Sequence, residues 1–319
     1  MDITPLFTPL TVKNKVLRNR IVMPPMVVNR SLTGPDGWEW YGRRAHGGAG
    51  LIIVEATDII RFATELTADN LRPLAGAIHD GGALAAIQLF PGRRGEKISP
   101  ADLTAADIRR LLDLYRKGAE ACANAGFDGI EPHGAHGYLL NKFFSPLENQ
   151  RTDEYGGNTM AGRMRFALSI VETVRPIVRQ AGMLLLYRHT PIRGGYGYTL
   201  DESLTLAEQL VEAGVDILDI SPASDLAPGD RAAPFMTFGV PVIAVNLLDQ
   251  PERALEVLNE RRASLVAVGR GLIADPDWPN KVHDGRFADI VACTRCDQCH
   301  ADLRQGVPVS CPEWYRRNP

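Results

Sequence analysis

Short apolar segments recur along the chain without alternating with polar residues. Eight of them are apparent, at Arg20–Val27, Leu51–Ala56, Leu84–Phe90, Asp128–His133, Met183–Arg188, Asp216–Ser221, Val240–Val245 and Ser264–Val268. Apolar runs of this length are typical of strands that are buried on both faces, as they are in parallel sheets. The pattern therefore predicts eight parallel strands.

Between these segments, apolar residues recur at helical spacing. The clearest predicted helix is Ala105–Ala125, with Thr104 as its N-cap and Gly126 as its stop; Gly162–Gln180 and Leu200–Ala213 are similar. Eight strands that alternate with helices predict an α/β fold, and eight is the number that closes a single (β/α)₈ TIM barrel. An open doubly wound sheet is disfavoured because no glycine-rich motif follows the first strand.

The chain is predicted to have two parts. Residues 1–287 form the barrel, and residues 288–319 form a short C-terminal extension that packs on it. Four of the five cysteines lie in this extension, at Cys293, Cys296, Cys299 and Cys311. This clustering favours a metal or iron–sulfur site in a reducing compartment over a disulfide framework. A structural zinc site with four thiolates is the alternative.

Composition narrows the class of protein. The 319 residues are 45% hydrophobic, and 35 basic residues stand against 38 acidic ones, a formal net charge of −3. A nucleic-acid partner is therefore not expected, and no run approaches the ~18 apolar residues of a membrane span. The acidic start, interrupted by Pro5, does not resemble a secretory signal. We expect a cytoplasmic enzyme with a small-molecule substrate, and a homo-oligomer is one option.

Hydrogen-bonding and backbone-accessible positions follow the predicted strands, where the active sites of such barrels lie. They are Pro25, Met26, Val27, Ala56, Gln88, Arg188, Asn246, Gly269 and Arg270. Phosphate groups in barrels are commonly bound after strands seven and eight. Gly269 would allow close backbone approach and Arg270 could pair with the phosphate. An ordinary surface ion pair is the alternative for Arg270.

The fourth predicted strand runs into a segment that contains His133, His136 and Tyr138. Two imidazoles can donate hydrogen bonds to one carbonyl oxygen, and a phenol can donate a proton while neutral. This set suits the addition of hydride to an activated C=C bond. A metal site or a plain loop remains open from the residues alone, although no acidic third ligand lies at motif spacing.

Long stretches of the chain resemble a known superfamily. The segments LFTPLTVKNKVLRNRIVMPPM, GGAGLIIVEAT, FDGIEPHGAHGYLLNKFFSPLENQRTDEYGG and LVAVGRGLIADPDWPNK resemble the Old Yellow Enzyme and 2,4-dienoyl-CoA reductase superfamily of NADH:flavin oxidoreductases. The likeness spans essentially residues 5–319. It implies an FMN-binding barrel that is reduced by NAD(P)H or another donor.

The resemblance also implies residue roles. Pro25, Met26 and Ala56 would flank the flavin, Val27 would lie beside it, and Asn246 would also belong to the cofactor-binding residues. Gln88 would bind the pyrimidine edge of the ring, Arg188 would lie near N1 and O2, and Gly269 with Arg270 would hold the phosphate. His133 and His136 match the carbonyl-binding pair and Tyr138 the proton donor. The substrate would be an enone, enoate or enoyl thioester, and the four terminal cysteines resemble a [4Fe-4S] segment.

The sequence also leaves three other functional hypotheses open. One is oxidation of an amine, in which Tyr196 and Tyr198 would supply rings for a cationic substrate. Another is an electron-transfer subunit that is served by a separate electron-donor protein, since the sequence holds no Gly-x-Gly-x-x-Gly to begin a nucleotide-binding domain. The third is a barrel that has lost its chemistry. Finally, Pro132 within the fourth strand predicts a bulge that aims His133.

Overall fold

The computed structural model describes residues 1–92, 98–192, 195–222 and 231–317. Two short strands near the start, β1 (Leu10–Val12) and β2 (Lys15–Leu17), pair antiparallel. Eight further strands then close into a barrel. They are β3 (Ile21–Met23), β4 (Leu51–Asp58), β5 (Leu84–Phe90), β6 (Gly129–Gly134), β7 (Leu184–His189), β8 (Ile217–Ile220), β9 (Val242–Val245) and β10 (Leu265–Ala267).

Each barrel strand pairs in parallel with the next one along the chain, and β10 closes the ring by pairing with β3. The helices are α1 (Thr4–Phe7), α2 (Pro35–His46), α3 (Ala68–Asp80), α4 (Ala105–Ala125), α5 (Leu139–Phe144), α6 (Met160–Gln180), α7 (Leu200–Ala213), α8 (Pro251–Asn259), α9 (Arg270–Ala274), α10 (Trp278–His283), α11 (Gln298–Gln305) and α12 (Pro312–Arg317). The predicted α/β TIM barrel is confirmed.

Every predicted strand is present, with differences at the ends. The first stops at Met23, because Pro24 and Pro25 have no backbone N–H to donate to a ladder. The prediction of a bulge at Pro132 is wrong. The register with β5 is continuous up to the pair Leu89 and Pro132, and the ladder with β7 keeps one register on both sides of the proline. The irregularity lies instead in β4, between Val54 and Thr57.

The barrel interior changes from apolar to polar along the strands. Alternate residues of a strand point inside a closed barrel. In the lower layers these residues are apolar and pack together with Val12 and Leu17 of the β1–β2 hairpin. One step towards the carboxyl ends, the equivalent residues are buried and polar, namely Gln88, Glu131, Arg188 and Asp219. The same alternation that builds the core therefore delivers polar groups to one end of it.

A buried carboxylate joins three elements at the opposite end of the barrel. Asp128 precedes β6, and its Oδ1 lies 2.7 Å from Lys15 Nζ while its Oδ2 lies 2.7 Å from His79 Nε2. The backbone N–H of Ala85 also donates to Oδ2, at 2.9 Å. The hydrogen bond to Asp128 raises the pKa of His79 above its usual value. This cluster ties α3, β5 and the hairpin to β6.

We predict that replacing His79 by Gln makes stability less dependent on pH. Because the pKa of His79 is raised in the folded protein, its contribution is fully present below the unfolded value of about 6.5 and is lost as pH rises through the folded value. The side chain is 40% exposed, so we expect a loss of less than about 1 kcal/mol near pH 6 and almost none near pH 9. Urea unfolding at both pH values measures the difference.

The matched control is His46→Gln on α2, since His46 is exposed and the described residues include no side-chain hydrogen bond or ion pair for it. Its substitution should leave the unfolding free energy unchanged at both pH values. A His79→Gln variant that loses stability equally near pH 6 and near pH 9 would contradict the ionic role of the His79–Asp128 pair.

Candidate active site

A cavity of about 360 Å³ opens at the carboxyl ends of the barrel strands. Its lining includes every barrel residue that the sequence assigned to flavin binding or to the reduction of a C=C bond: Pro25, Met26, Val27, Ala56, Gln88, His133, His136, Tyr138, Arg188, Asn246, Gly269 and Arg270. The strands carry these residues to one rim because parallel strands of a closed barrel all end on the same side. Their convergence is confirmed, whereas the role of each residue stays a prediction.

Three rings meet where β6 ends. His133 is 3% exposed, and its ring centroid lies 5.3 Å from that of His136 and 5.2 Å from that of Tyr138. His136 has a left-handed backbone with φ of 60°, and the Thr190 hydroxyl oxygen accepts its backbone N–H at 2.9 Å. Tyr138 directly precedes α5 and is 41% exposed. The tight loop thus places two imidazoles and a phenol side by side.

Phe90 at the end of β5 supports this group of rings. Its ring packs edge-to-face on Tyr138 with centroids 4.9 Å apart and lies 5.9 Å from His133. Contacts of this geometry are favourable for aromatic pairs. Phe90 therefore limits the directions that the Tyr138 side chain can take, a role that the sequence pattern did not indicate.

His133 is held neutral by its surroundings. Burial lowers the pKa of its imidazole well below the usual value, and the neighbouring His136 and Arg188 lower it further. Its Nδ1 is buried and has no hydrogen-bond partner among the described residues. A neutral imidazole with one unpaired buried nitrogen is suited to binding a polar atom of a ligand.

Ser221, which the sequence analysis did not assign, joins Arg188 to His136. Arg188 Nη2 donates to Ser221 Oγ at 3.0 Å, and Ser221 Oγ lies 2.8 Å from His136 Nε2. Arg188 Nη1 also donates to the carbonyl oxygen of Pro25, at 3.4 Å. Ser221 follows β8 directly, and this place at the end of a barrel strand could have identified it from the sequence. The three residues form one hydrogen-bonded chain across the cavity wall.

Two buried carboxyls lie beneath this chain, and the sequence analysis missed both. Gln88 Nε2 donates to Glu131 Oε1 at 2.7 Å, and Arg188 Nε lies 3.3 Å from Asp219 Oδ2. Burial raises the pKa of Asp219 to about 6, although Arg188 acts in the opposite direction. Both residues could have been found in the sequence as acidic residues within apolar strands. Charged residues are rarely buried without a partner, so their presence there indicates a specific role.

The other end of the cavity is formed by the turn into α9 and by the extension. Arg270 is 16% exposed at its side chain and lies 3.3 Å from Asp297 Oδ1. Arg295 and His300 of the extension also line the cavity, and Arg295 Nη2 donates to Asp249 Oδ1 at 2.8 Å. The extension thus packs on the barrel and reaches the cavity. Two guanidinium groups, each beside a carboxylate, therefore lie at the end of the cavity where the sequence predicted a phosphate.

The four cysteines of the extension, Cys293, Cys296, Cys299 and Cys311, carry free thiols. They line one small cavity, and Arg270 borders both this cavity and the larger one. Across residues 1–92, 98–192, 195–222 and 231–317, however, no three His, Cys, Asp or Glu side chains are arranged to hold a metal ion. The structure brings the thiols together without showing the predicted metal centre. Cys122 is buried in the core of α4, as predicted.

Within the part of the chain that the structure describes, the helices are too short or too polar to cross a membrane.

A cavity at the mouth of a (β/α)₈ barrel, with the buried Arg188 and the half-buried Arg270 in its lining, is typical of barrel proteins that bind a cofactor. The sequence model of the protein family described as "NADH:flavin oxidoreductase / NADH oxidase family" matches residues 5–99, 92–226 and 235–289 of this chain. The chain belongs to this family, which places it among the FMN-dependent NAD(P)H oxidoreductases of the Old Yellow Enzyme superfamily.

Individual relatives support this membership. The chain is 34% identical to an NADH oxidase of Thermoanaerobacter brockii over 92% of its own length and 52% of that protein. It is 35% identical to an NADPH dehydrogenase of Geobacillus thermodenitrificans over 86% of its length and 93% of that protein. The chain therefore spans about half the length of the first relative and nearly all of the second.

Among solved structures, morphinone reductase in complex with tetrahydroNAD superimposes with a TM-score of 0.74. The two proteins are 27% identical, over 88% of this chain and 90% of that one.

The residues around the cavity fit a bound FMN. His133 Nδ1 is buried without a hydrogen-bond partner among the described residues, and a polar atom of this kind is normally satisfied in a native protein. Gln88 and Arg188 would face the pyrimidine edge of the ring, and Gly269 with Arg270 would hold the phosphate. When bound, FMN would accept and donate hydride, chemistry that the side chains themselves lack.

We predict that Ser221→Ala disconnects His136 from Arg188. Loss of the hydroxyl should destabilise the fold by about 1–2 kcal/mol, because the buried groups that it satisfies lose a partner. It should also shift the ¹⁵N NMR resonances of the His136 ring, since the bond to Nε2 disappears.

The control is Ser203→Ala on α7, another buried serine, whose hydroxyl donates to the carbonyl oxygen of Pro191 away from the cavity. That variant should lose similar stability and leave the His136 resonances in place. Unchanged His136 resonances in Ser221→Ala would refute the bridging role of Ser221.

Proposed function

We propose that the protein uses FMN and NAD(P)H to reduce an activated C=C bond of an enone, enoate or enoyl thioester. The observation that carries this proposal is the group of three rings at the end of β6, in which His133, His136 and Tyr138 lie at one wall of the cavity that fits the flavin. Two of these side chains are suited to binding a carbonyl oxygen, and the third is suited to delivering a proton.

The two imidazoles would act on the carbonyl group of the substrate. His133 is neutral, because burial and the nearby positive groups lower its pKa, and it can therefore donate one N–H without carrying charge. His136 is held in place by Thr190 and Ser221. Two preorganised donors would stabilise the negative charge that develops on the carbonyl oxygen as hydride adds to the β-carbon.

Tyr138 would protonate the α-carbon. Its ring is anchored by Phe90 and His133, while 41% of the side chain remains exposed. A phenol is a competent proton donor when it is held at a fixed position beside the reacting atom. The partial exposure would allow the proton to be replaced from water after each turnover.

The reducing electrons would come from NADH or NADPH. The relatives include an NADH oxidase and an NADPH dehydrogenase, and morphinone reductase was solved with tetrahydroNAD. A nicotinamide and the substrate would then occupy the same cavity in turn. A separate electron-donor protein is the alternative source of electrons, in which case the chain would serve as one subunit of a larger reductase.

The positions of the Tyr196 and Tyr198 rings do not support the alternative hypothesis of an amine dehydrogenase. Neither Tyr196 nor Tyr198 belongs to the cavity lining found among the described residues. Tyr198 is 4% exposed, and its hydroxyl donates to the carbonyl oxygen of Thr190 at 2.9 Å. Its ring therefore belongs to the core, where it cannot contact a cationic substrate.

The four cysteines of the extension would hold a [4Fe-4S] cluster. Four thiolates are the usual ligands of such a cluster, and the four side chains line a shared cavity that borders Arg270. A cluster there would lie next to the phosphate end of the flavin cavity. Zinc is the competing occupant.

The proton-donor role of Tyr138 predicts the outcome of Tyr138→Phe. The variant should bind FMN normally but turn over 2-cyclohexenone more slowly by about 10²–10⁴-fold, the usual value of a positioned general acid. Stopped-flow reoxidation of the reduced flavin by the enone measures this step. Tyr315→Phe, at an exposed position on α12, should behave like the wild type. Equal rates for Tyr138→Phe and wild type would refute the role of Tyr138.

The cluster predicts metal content. Anaerobically purified protein should contain about four irons and four sulfides per chain, and Cys311→Ser should lose them while retaining FMN. Cys122→Ala, which alters a buried thiol far from the extension in sequence, should retain both cofactors. One zinc per chain, with no iron, would refute the cluster and would show that the extension holds a structural zinc site.

A further inference from the structure

Glu131 is a buried carboxyl for which the reaction proposed above has no use. It lies on β6, is 0% exposed and faces the barrel interior one step below His133. Its Oε1 accepts the Nε2–H of Gln88 at 2.7 Å. Its Oε2 has no hydrogen-bond partner, and no cationic side chain forms an ion pair with it among the residues that the structure describes.

Other carboxyls that are equally buried in this protein do have cations. Asp275 is also 0% exposed, yet its Oδ2 lies 2.8 Å from Lys281 Nζ and accepts the backbone N–H of Val291 at 2.8 Å. Asp219 is 0% exposed and lies 3.3 Å from Arg188 Nε. Burial therefore does not distinguish Glu131, whereas the lack of a counter-ion does.

The groups that face Glu131 cannot compensate a charge on it. Gln88 on β5 is neutral, and Asp219 on β8 is acidic. Arg188 on β7 has its cation next to Asp219 and its Nη2 on Ser221, and His133 on β6 is neutral. An unpaired carboxylate buried at this place would be costly, and such groups normally keep their proton. Consistently, burial raises the pKa of Glu131 well above its ordinary value and Asp219 raises it further, while the opposing effects of Arg188 and of the Gln88 hydrogen bond are smaller.

We propose that Glu131 stays protonated in the folded protein at neutral pH and is a positioning residue for Gln88. Because Oε1 accepts the Gln88 N–H, the proton belongs on the unpartnered Oε2. With its Nε2 directed at Glu131, Gln88 is left to present its carbonyl oxygen to the cavity. That oxygen would be available to accept a hydrogen bond from an N–H of the bound flavin ring.

The proton also sets the charge beneath the cavity. When Glu131 is neutral, the positive charge of Arg188 and the negative charge of an ionised Asp219 cancel. With Glu131 ionised, the three groups would carry one net negative charge close to the pyrimidine edge. Negative charge at that place disfavours the electron-rich, reduced form of a bound ring, so ionisation of Glu131 would lower the flavin potential. This inference rests on the proposed binding of FMN for its consequence, but not for the protonation itself.

Infrared spectroscopy of the full chain tests the protonation directly. The wild-type protein should show the C=O stretch of a protonated carboxyl that persists above neutral pH, and Glu131→Gln should lose this band. Asp275→Asn should retain it, because Asp275 is paired with Lys281 and contributes no such band. Absence of the band in wild-type protein at neutral pH, or its survival in Glu131→Gln near pH 8, would overturn the proposal. At the higher pH Asp219, whose pKa is raised to about 6, is ionised and gives no such band.

The midpoint potential of bound FMN tests the consequence. Glu131→Gln reproduces the neutral form, so its potential should equal that of the wild type near neutral pH. As pH rises and Glu131 ionises, the wild-type potential should fall below that of the variant, and a merely structural role would not give this pH dependence. A constant difference at every pH would show that Glu131 is already ionised.

The two measurements also separate this inference from the proposed function. The infrared band can be recorded on protein without flavin, so failure to bind FMN would refute the proposed function and leave the protonation of Glu131 to be decided by the band. If Glu131→Gln folds poorly, the band in the wild-type protein and its pH dependence still give the answer.

Discussion

The site depends on one buried guanidinium. Arg188 points into the barrel from β7, where it lies next to Asp219, donates to Ser221 and reaches the backbone of Pro25 on the far side. It thereby links three parts of the rim and holds His136 through Ser221. A cation at this depth is costly unless its surroundings compensate it. Asp219, Ser221 and the Pro25 carbonyl do so while leaving its charge beside the cavity.

Inside the barrel, the residues that stabilise the fold and the residues that line the cavity occupy different layers along the strands. The lower layers are apolar and are covered by the β1–β2 hairpin, and the acidic side chains at that end, such as Asp128, tie helices and strands together. The upper layer is polar and incompletely satisfied by the described side chains. A ligand would complete this layer, so the unsatisfied groups are expected where binding occurs rather than being defects of packing.

The extension brings its four thiols close to the large cavity of the barrel. Its residues Arg295 and His300 line the large cavity, and Arg270 stands between this cavity and the thiols. Charge at Arg270 would therefore act on both places. Four cysteines in one cavity have the chemistry of both iron–sulfur and zinc ligands.

The sequence by itself determined the number and type of the barrel strands, the barrel and the residues at its rim, because continuous apolar runs and the positions after them are local properties. His133, His136, Tyr138 and Arg188 could be named for this reason. The sequence did not indicate the β1–β2 hairpin. Tertiary structure alone decided that Phe90 supports Tyr138, that Ser221 joins Arg188 to His136, and that Glu131 faces Gln88 without a cation. These contacts join residues on different strands and loops. Their geometry follows from the closure of the barrel and its register, which no local pattern records.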